Sequence, residues 1–207
     1  MAETILTRSS NEQFKDDYTR YALYTTYKRV LSDMRDGLKP VQRRILYTMF
    51  KNTGAVNHTV KSAAVIGDVM KYYHPHGDAG IYSAVKPMVN WFESKVPILD
   101  SQGSFGNLQG DPASAARYTE VKLSKFAMDC IIGELDNTDK VVDWVPNYSN
   151  STFEPEFLPC KIPLLLIEGS LGIGVGLRAD IPSHNLNEVI DATINLIHDP
   201  NQNVILI

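Results

Sequence analysis

The 207-residue chain predicts an α+β fold, helical in its first half and built from short strands and loops beyond it. Three observations predict it. Apolar residues recur at helical spacing before residue 95, apolar runs punctuated by glycine and proline take over after it, and one firm helical stripe returns beyond Pro182. With 43% hydrophobic residues the chain can bury a core, as one domain or two small ones. Cys130 and Cys160 are too few for a disulfide framework and stand in no metal-ligand spacing, which points to a reducing compartment. No apolar run reaches the roughly 18 residues of a membrane span, and Met1 to Arg8 lacks the apolar stretch of a signal peptide. A soluble cytoplasmic protein with no membrane partner is expected.

Ser10-Asn11-Glu12-Gln13 has the form of a capping box, so a first helix is predicted from there through Tyr27 to about Leu31. Phe14, Tyr18, Tyr21, Ala22, Leu23 and Thr25 give it a broad tyrosine-rich side, suited to packing on this chain or on a partner. Asp36-Gly37-Leu38-Lys39-Pro40 reads as a turn, and Pro40 suits the first position of a second helix that Gly54 closes. Val41, Ile45, Met49 and Phe50 share one face of it, while Gln42, Arg43 and Arg44 lead away. A third helix, Ala63 to Tyr73, carries Ala64, Val65, Val69 and Met70 inward and breaks at His74-Pro75-His76-Gly77. Asp78 is the expected N-cap of a fourth helix toward Trp91, which Pro87 should kink or divide. Two helices joined by a short glycine-containing turn form a helix-turn-helix pattern. Val96 to Asn107 reads as short strand and loop, Glu120 to about Leu135 as a helix, and Val141 to Ile167 as strands and prolines. The last helix follows Pro182-Ser183-His184-Asn185, with Leu186, Val189, Ile190, Ile194 and Ile197 on one stripe. A composition shift near residues 135 to 150 marks the expected domain boundary.

A net charge of −4 argues at first against a nucleic-acid partner. The distribution argues otherwise. Seven basic residues lie between Lys28 and Lys51 against Asp33 and Asp36, and seven acids lie between Asp129 and Glu156 against Lys140. Separation of this kind makes a basic face on an acidic protein, or else a pair of ordinary solvated faces. The basic residues cluster at a helix start, where backbone amides also favour phosphate.

Tyr118 stands in Ala115-Ala116-Arg117-Tyr118-Thr119-Glu120. A phenol, with a pKa of about 10, is a weak nucleophile unless a base or a positive field assists it. Arg117 is adjacent, and a guanidinium holds phosphate through paired hydrogen bonds. His76 and His74 are suited to donate to phosphate or to shuttle a proton. The chain has ten tyrosines, and packing or an ordinary surface phenol is the competing explanation for any one of them. His-x-His also suits a metal, but with Asp78 alone beside it and no nearby cysteine, no metal site is expected. No DxD motif occurs, and Glu134-Leu135-Asp136 and Glu154-Pro155-Glu156 read as solvated acids. If phosphoryl chemistry here needs two metal ions, another chain supplies their ligands. Gly169 to Gly176 follows an apolar strand-like stretch but fails the spacing of a dinucleotide loop. A tight backbone segment is one use of it; holding Ile173 as a wedge between DNA base steps is another.

In order, RDGLKPVQRRILY (Arg35 to Tyr47), KSAAVIGDVMKYYHPHGD (Lys61 to Asp78), GSFGNLQGDPASAARYTE (Gly103 to Glu120), KIPLLLIEGSLGIGVG (Lys161 to Gly176) and IPSHNLNEVI (Ile181 to Ile190) resemble the DNA breakage-reunion A subunit of bacterial type IIA topoisomerases, gyrase and topoisomerase IV. The resemblance implies an N-terminal helical arm over residues 1–31, a winged-helix breakage domain over 32–140 and the start of an α/β tower domain over 141–207. It implies that Tyr118 forms a 5′-phosphotyrosyl link, with Arg117, His76 and Arg29 at the reacting phosphate. Lys39, Gln42, Arg43, Arg44 and His74 would contact DNA, the helix after His76 would be the recognition helix, and Ile173 the wedge. Magnesium would sit in the toprim domain of a B subunit that also binds ATP, and two A chains would form a homodimer within an A2B2 heterotetramer on double-stranded DNA. Gln42 departs from a customary histidine, Ser104 from an asparagine, and Pro87 is unusual in a recognition helix. Ala79 and Ser83 replace the serine and acid that anchor quinolones, which implies weak quinolone poisoning. The chain is short for the family and reads as an N-terminal fragment, inactive in supercoiling without the full A chain and B subunit. A noncatalytic winged-helix DNA-binding module and a glycine-loop nucleotide enzyme are the competing readings.

Overall fold

The computed structural model describes residues 8–135 and 141–201, and among these residues seven α-helical segments, a three-stranded antiparallel sheet and two hairpins are arranged about one apolar core. The expected boundary at residue 140 lies outside the described residues. Helix α1 (Ser10–Thr25) starts one residue earlier than its sequence pattern suggests: Ser9 is the N-cap and Glu12 its reciprocal partner. A π-helical turn, Thr26–Val30, extends it. Helix α2 (Pro40–Lys51) opens on Pro40, and α3 (Ser62–Tyr72) buries Val65, Ile66 and Val69, while Ala64 faces outward. Helix α4 (Asp78–Val89) is capped by Gly77, with Asp78 in its first turn. Pro87 does not divide α4. It lies in the last turn, where the missing N–H forfeits one helical hydrogen bond and Asn90 N–H still reaches the Lys86 carbonyl at 3.1 Å.

Strands β1 (Val60–Lys61), β2 (Leu99–Gln102) and β3 (Glu120–Leu123) form the sheet in the order β1-β3-β2. The first four residues of the helix expected over Glu120 to Leu135 are therefore a central strand, and helical structure begins only at Lys125. Val121 and Leu123 are buried while Glu120 and Lys122 are half-buried, a period of two that pairs Val121 with both Val60 and Ser101. Ser124 then caps a short helical segment, α5 (Lys125–Ala127), and a π turn, Met128–Ile132. A hairpin of β4 (Trp144–Pro146) and β5 (Phe153–Pro155) follows. The strand-like run Ile162 to Ile167 is instead mostly α6 (Leu164–Glu168), burying Leu164 and Ile167. The glycine run folds back as the hairpin β6 (Ser170–Ile173) and β7 (Arg178–Ile181), and α7 (Leu186–His198) is capped by Asn185. On α7 only the near end of the apolar stripe is covered: Val189 is buried, whereas Ile197 is 73% exposed.

One buried ion pair ties these parts together. The Asp36 carboxylate, fully buried, accepts from Arg43 Nε at 2.6 Å and Nη2 at 2.9 Å, from Leu38 N–H at 3.0 Å and from Leu158 N–H at 2.9 Å. Four donors offset the desolvation of the carboxylate and join the turn before α2, α2 itself and the segment leading to α6. Gly37 has φ +70, and a Cβ there would strike the backbone of Leu165, so the turn can lie directly on α6. Removing one partner of such a pair strands the other charge. Asp36→Ala should lower the unfolding free energy by about 3 to 5 kcal/mol, read from urea denaturation. Asp180→Ala, which breaks the surface pair with Arg178 at 2.7 Å, should change it by about 0.5 kcal/mol or less.

Candidate nucleic-acid interface

The tyrosine loop is held by the first turn of α3. Residues 116–118 form a turn in which Tyr118 N–H donates to the Ala115 carbonyl at 2.8 Å. Ala63 N–H donates to the Ala116 carbonyl at 3.1 Å and Ser62 N–H to the Thr119 carbonyl at 2.9 Å. Thr119 and Ser62, both fully buried, share a hydroxyl hydrogen bond of 2.8 Å. Tyr82, from α4, adds its hydroxyl to the Ser114 carbonyl at 2.6 Å and lies 3.1 Å from Thr119 Oγ1. On this fixed backbone the Tyr118 ring is 64% exposed. The Arg117 guanidinium stands over the ring, 4.6 Å from its centroid. This cation–π contact sets a permanent positive charge beside the phenol.

The second group lies beyond the last turn of α3. His74 N–H closes on the Val69 carbonyl at 2.8 Å, and His76 N–H on the His74 carbonyl at 2.8 Å. Arg44 Nη1 is 3.0 Å from His74 Nδ1. A guanidinium only donates, so His74 accepts at Nδ1 and carries its proton on Nε2. Burial first, then the charges of Arg44, His76 and Arg29, pushes the His74 pKa down to about 4. Arg44 also makes a paired contact with Glu154 on β5, at 2.7 and 2.6 Å, so its position is set from both sides. The His76 ring meets the His74 ring edge-on at 4.5 Å, and its Nε2 lies 3.2 Å from the Tyr24 hydroxyl of α1.

The β6–β7 hairpin is fastened to the same neighbourhood. Gly172 lies so close to the π turn after α1 that a Cβ would collide with the Val30 carbonyl. Ser32 and Ser170 share a hydroxyl hydrogen bond of 2.8 Å, and Lys39 Nζ donates to the Leu171 carbonyl at 2.6 Å. Burial lowers the Lys39 pKa. These contacts place Ile173, 75% exposed, on the hairpin that packs against the turn bearing Arg29. Gln42 accepts from Lys39 N–H at 2.9 Å, closing the start of α2.

Arg29, Lys39, Arg44, His74, His76 and Ile173 thus cluster around α2, the α3–α4 turn and the hairpin. Arg43 does not join them. Expected on DNA phosphates, its side chain is 9% exposed and its charge is matched by Asp36, because position 43 falls on the inner side of α2. Ala79 and Ser83 lie one turn apart, both exposed, on α4. Arg117 and Tyr118 stand apart from the histidines. α3 has 11 residues, so the two ends that hold these groups are about 16 Å apart along its axis. Sequence reasoning missed Tyr24, Glu154, Tyr82 and Thr119. Tyr24 lay inside the first helix with no role assigned and Glu154 read as a solvated acid, and nothing local marks their distant partners.

A family model for the A subunit of DNA gyrase/topoisomerase IV matches residues 29–207. The A subunit of DNA gyrase from Deinococcus deserti is 44% identical over 190 residues, covering 91% of this chain and 23% of that protein. Its counterpart in the DNA gyrase of Pseudomonas aeruginosa is 43% identical over 205 residues, or 99% and 22% of the two chains. The A subunit of DNA topoisomerase 4 from a Synechocystis species is 42% identical over 197 residues, or 95% and 21%. The chain spans about a fifth to a quarter of the length of these relatives.

The depressed His74 pKa has a defined consequence for stability. The ordinary value is 6.5 and the folded value about 4, so between these two the unfolded chain binds the proton first. His74 therefore contributes no loss above pH 6.5, and destabilises the fold progressively as pH falls toward about 4. Thermal midpoints followed from pH 7 downward should fall faster for the native chain than for a His74→Gln variant. Parallel curves would contradict this.

Proposed function

Because the chain belongs to the family of DNA gyrase/topoisomerase IV A subunits, we propose that it is the DNA breakage-reunion part of a type IIA topoisomerase, with Tyr118 as its nucleophile. The observation that carries this reading is the Tyr118 ring, exposed on a backbone-anchored loop with Arg117 over its face. The phenolic oxygen attacks a backbone phosphorus of duplex DNA, loses its proton, and displaces the 3′ oxygen, which takes up a proton as the bond breaks. One ester replaces another, so resealing runs the same step in reverse without external energy. Arg117 holds its positive charge over the ring of the attacking phenol; Arg29 and His76 stabilise charge on the transferring phosphoryl group.

The separation along α3 decides how these groups meet. If Tyr118 and His76 act on one phosphate, they come from two copies of the chain, each supplying one end of α3. A homodimer with two such composite sites gives one cut per strand. Lys39, Arg44 and His74 flank the reacting phosphate, with Arg44 held in place by Glu154 and His74 by Arg44. Helices α3 and α4 beside the three-stranded sheet form the winged helix, with α4 in the DNA groove and Ile173 as the wedge. Magnesium and ATP belong to the partner B subunit. Among the described residues no group of three or more His, Cys, Asp and Glu side chains is placed to hold a metal ion. No helix among the described residues is long and apolar enough to cross a membrane. Strand passage and change of supercoiling are assigned to the A2B2 assembly, not to this chain by itself.

The distance between Tyr118 and the histidines within one chain also favours a second reading, a noncatalytic winged-helix DNA-binding module. Trapping with SDS separates the two. Full-length A chain with duplex DNA plus B subunit should give covalent adducts, and Tyr118→Phe should abolish them while leaving noncovalent DNA affinity within about twofold, since one phenol hydroxyl contributes little to phosphate-driven binding. Adducts that persist in Tyr118→Phe would remove this tyrosine as the nucleophile.

A further inference from the structure

We propose that Tyr24 is a positioning residue for His76, fixing which imidazole nitrogen carries the proton and therefore which one faces a DNA phosphate. The proposal rests on the reading of His76 as a phosphate ligand. His76 sits on the turn between α3 and α4, and its neighbour His74 is locked by Arg44 as a neutral acceptor at Nδ1. His76 itself is touched through a different contact: its Nε2 lies 3.2 Å from the Tyr24 hydroxyl. A phenol is a stronger donor than acceptor, so the hydroxyl donates to Nε2 and the imidazole proton resides on Nδ1. Nδ1–H is then the donor presented to a phosphate oxygen. Without the hydroxyl, the ring loses both this tautomer preference and one restraint on its orientation. The His74 ring, at 4.5 Å, remains as the other neighbour.

Tyr24 comes from α1, an element that contributes none of the other proposed phosphate contacts, and its ring is 45% exposed, so it is not needed to fill the core. Tyr24→Phe keeps the ring and removes only the hydroxyl. In the complex of DNA with the B subunit plus full-length A chain, it should slow covalent cleavage about fivefold at saturating DNA, the fold-change equivalent to one net hydrogen bond of about 1 kcal/mol. Noncovalent DNA affinity and the thermal midpoint should not move. The decisive measurement is a double-mutant cycle: in a His76→Ala background, Tyr24→Phe should cause no further loss. An unchanged cleavage rate for Tyr24→Phe alone, or the same fivefold loss in both backgrounds, overturns the proposal. If His76→Ala by itself leaves cleavage intact, the phosphate-ligand reading of His76 falls and the proposal with it. A slow His76→Ala beside an unaffected Tyr24→Phe overturns only the role of Tyr24.

Discussion

The geometry of the chain depends on the buried pair between Asp36 and Arg43. A carboxylate with no exposed surface accepts four hydrogen bonds from three separate stretches of chain, so each stretch is held relative to the others. With Arg43 directed inward, its neighbour Arg44 is turned about 100° round α2, toward Glu154 and His74. The same turn, through the close approach of Gly37 to α6, sets where the β6–β7 hairpin begins. A pair of this kind does not by itself guarantee stability, since desolvation opposes its Coulomb attraction. Its effect here is positional: two adjacent arginines are each paired with a buried acid, Arg43 with Asp36 and Arg44 with Glu154, and Arg44 also holds His74.

From that frame the basic surface follows by short steps. The π turn after α1 presents Arg29 and offers Val30 as the floor on which Gly172 rests, so the hairpin is packed directly on the turn that bears Arg29. Lys39 closes the gap by bonding to the Leu171 carbonyl. Two of the cations that made residues 28–51 read as basic are matched locally, Arg43 by Asp36 and Arg44 by Glu154. At the far end of α3, Thr119, Ser62 and Tyr82 do for the tyrosine loop what the ion pairs do for the cations. α3 is the spacer between the two, and its length is the ground on which a site shared by two chains is proposed.

Much of this was legible in the sequence where the signal is local. Pro40 opens α2 and Asn185 caps α7 as their residue types require, and the break at His74 to Gly77 separates α3 from α4. The failures share a cause. Glu120 to Leu135 holds enough apolar residues to pass for a helix, yet its first four alternate and are claimed by two neighbouring strands. Ile162 to Ile167 is a short apolar run whose period cannot separate strand from helix, and tertiary packing decides for α6. Arg43 and Glu154 were misjudged because their partners lie far off in sequence or on the turn before the helix, and charge alone reads as exposure. Tyr118, Arg117 and Ile173 are exposed and His76 is half-buried, but their division between two ends of one helix was not visible without the fold.

In the proposed function each cutting site joins Tyr118 of one chain to His76 of another. This pairing is tested most directly by a mixed dimer of full-length A chains with B subunit, one chain carrying Tyr118→Phe and the other His76→Ala. A site built from two chains leaves one site wholly native and the other doubly impaired, so single-strand nicking should proceed at the native per-site rate. A site built within one chain would instead leave the only nucleophile beside the missing histidine, and nicking at the slow rate of the His76→Ala homodimer would contradict the account.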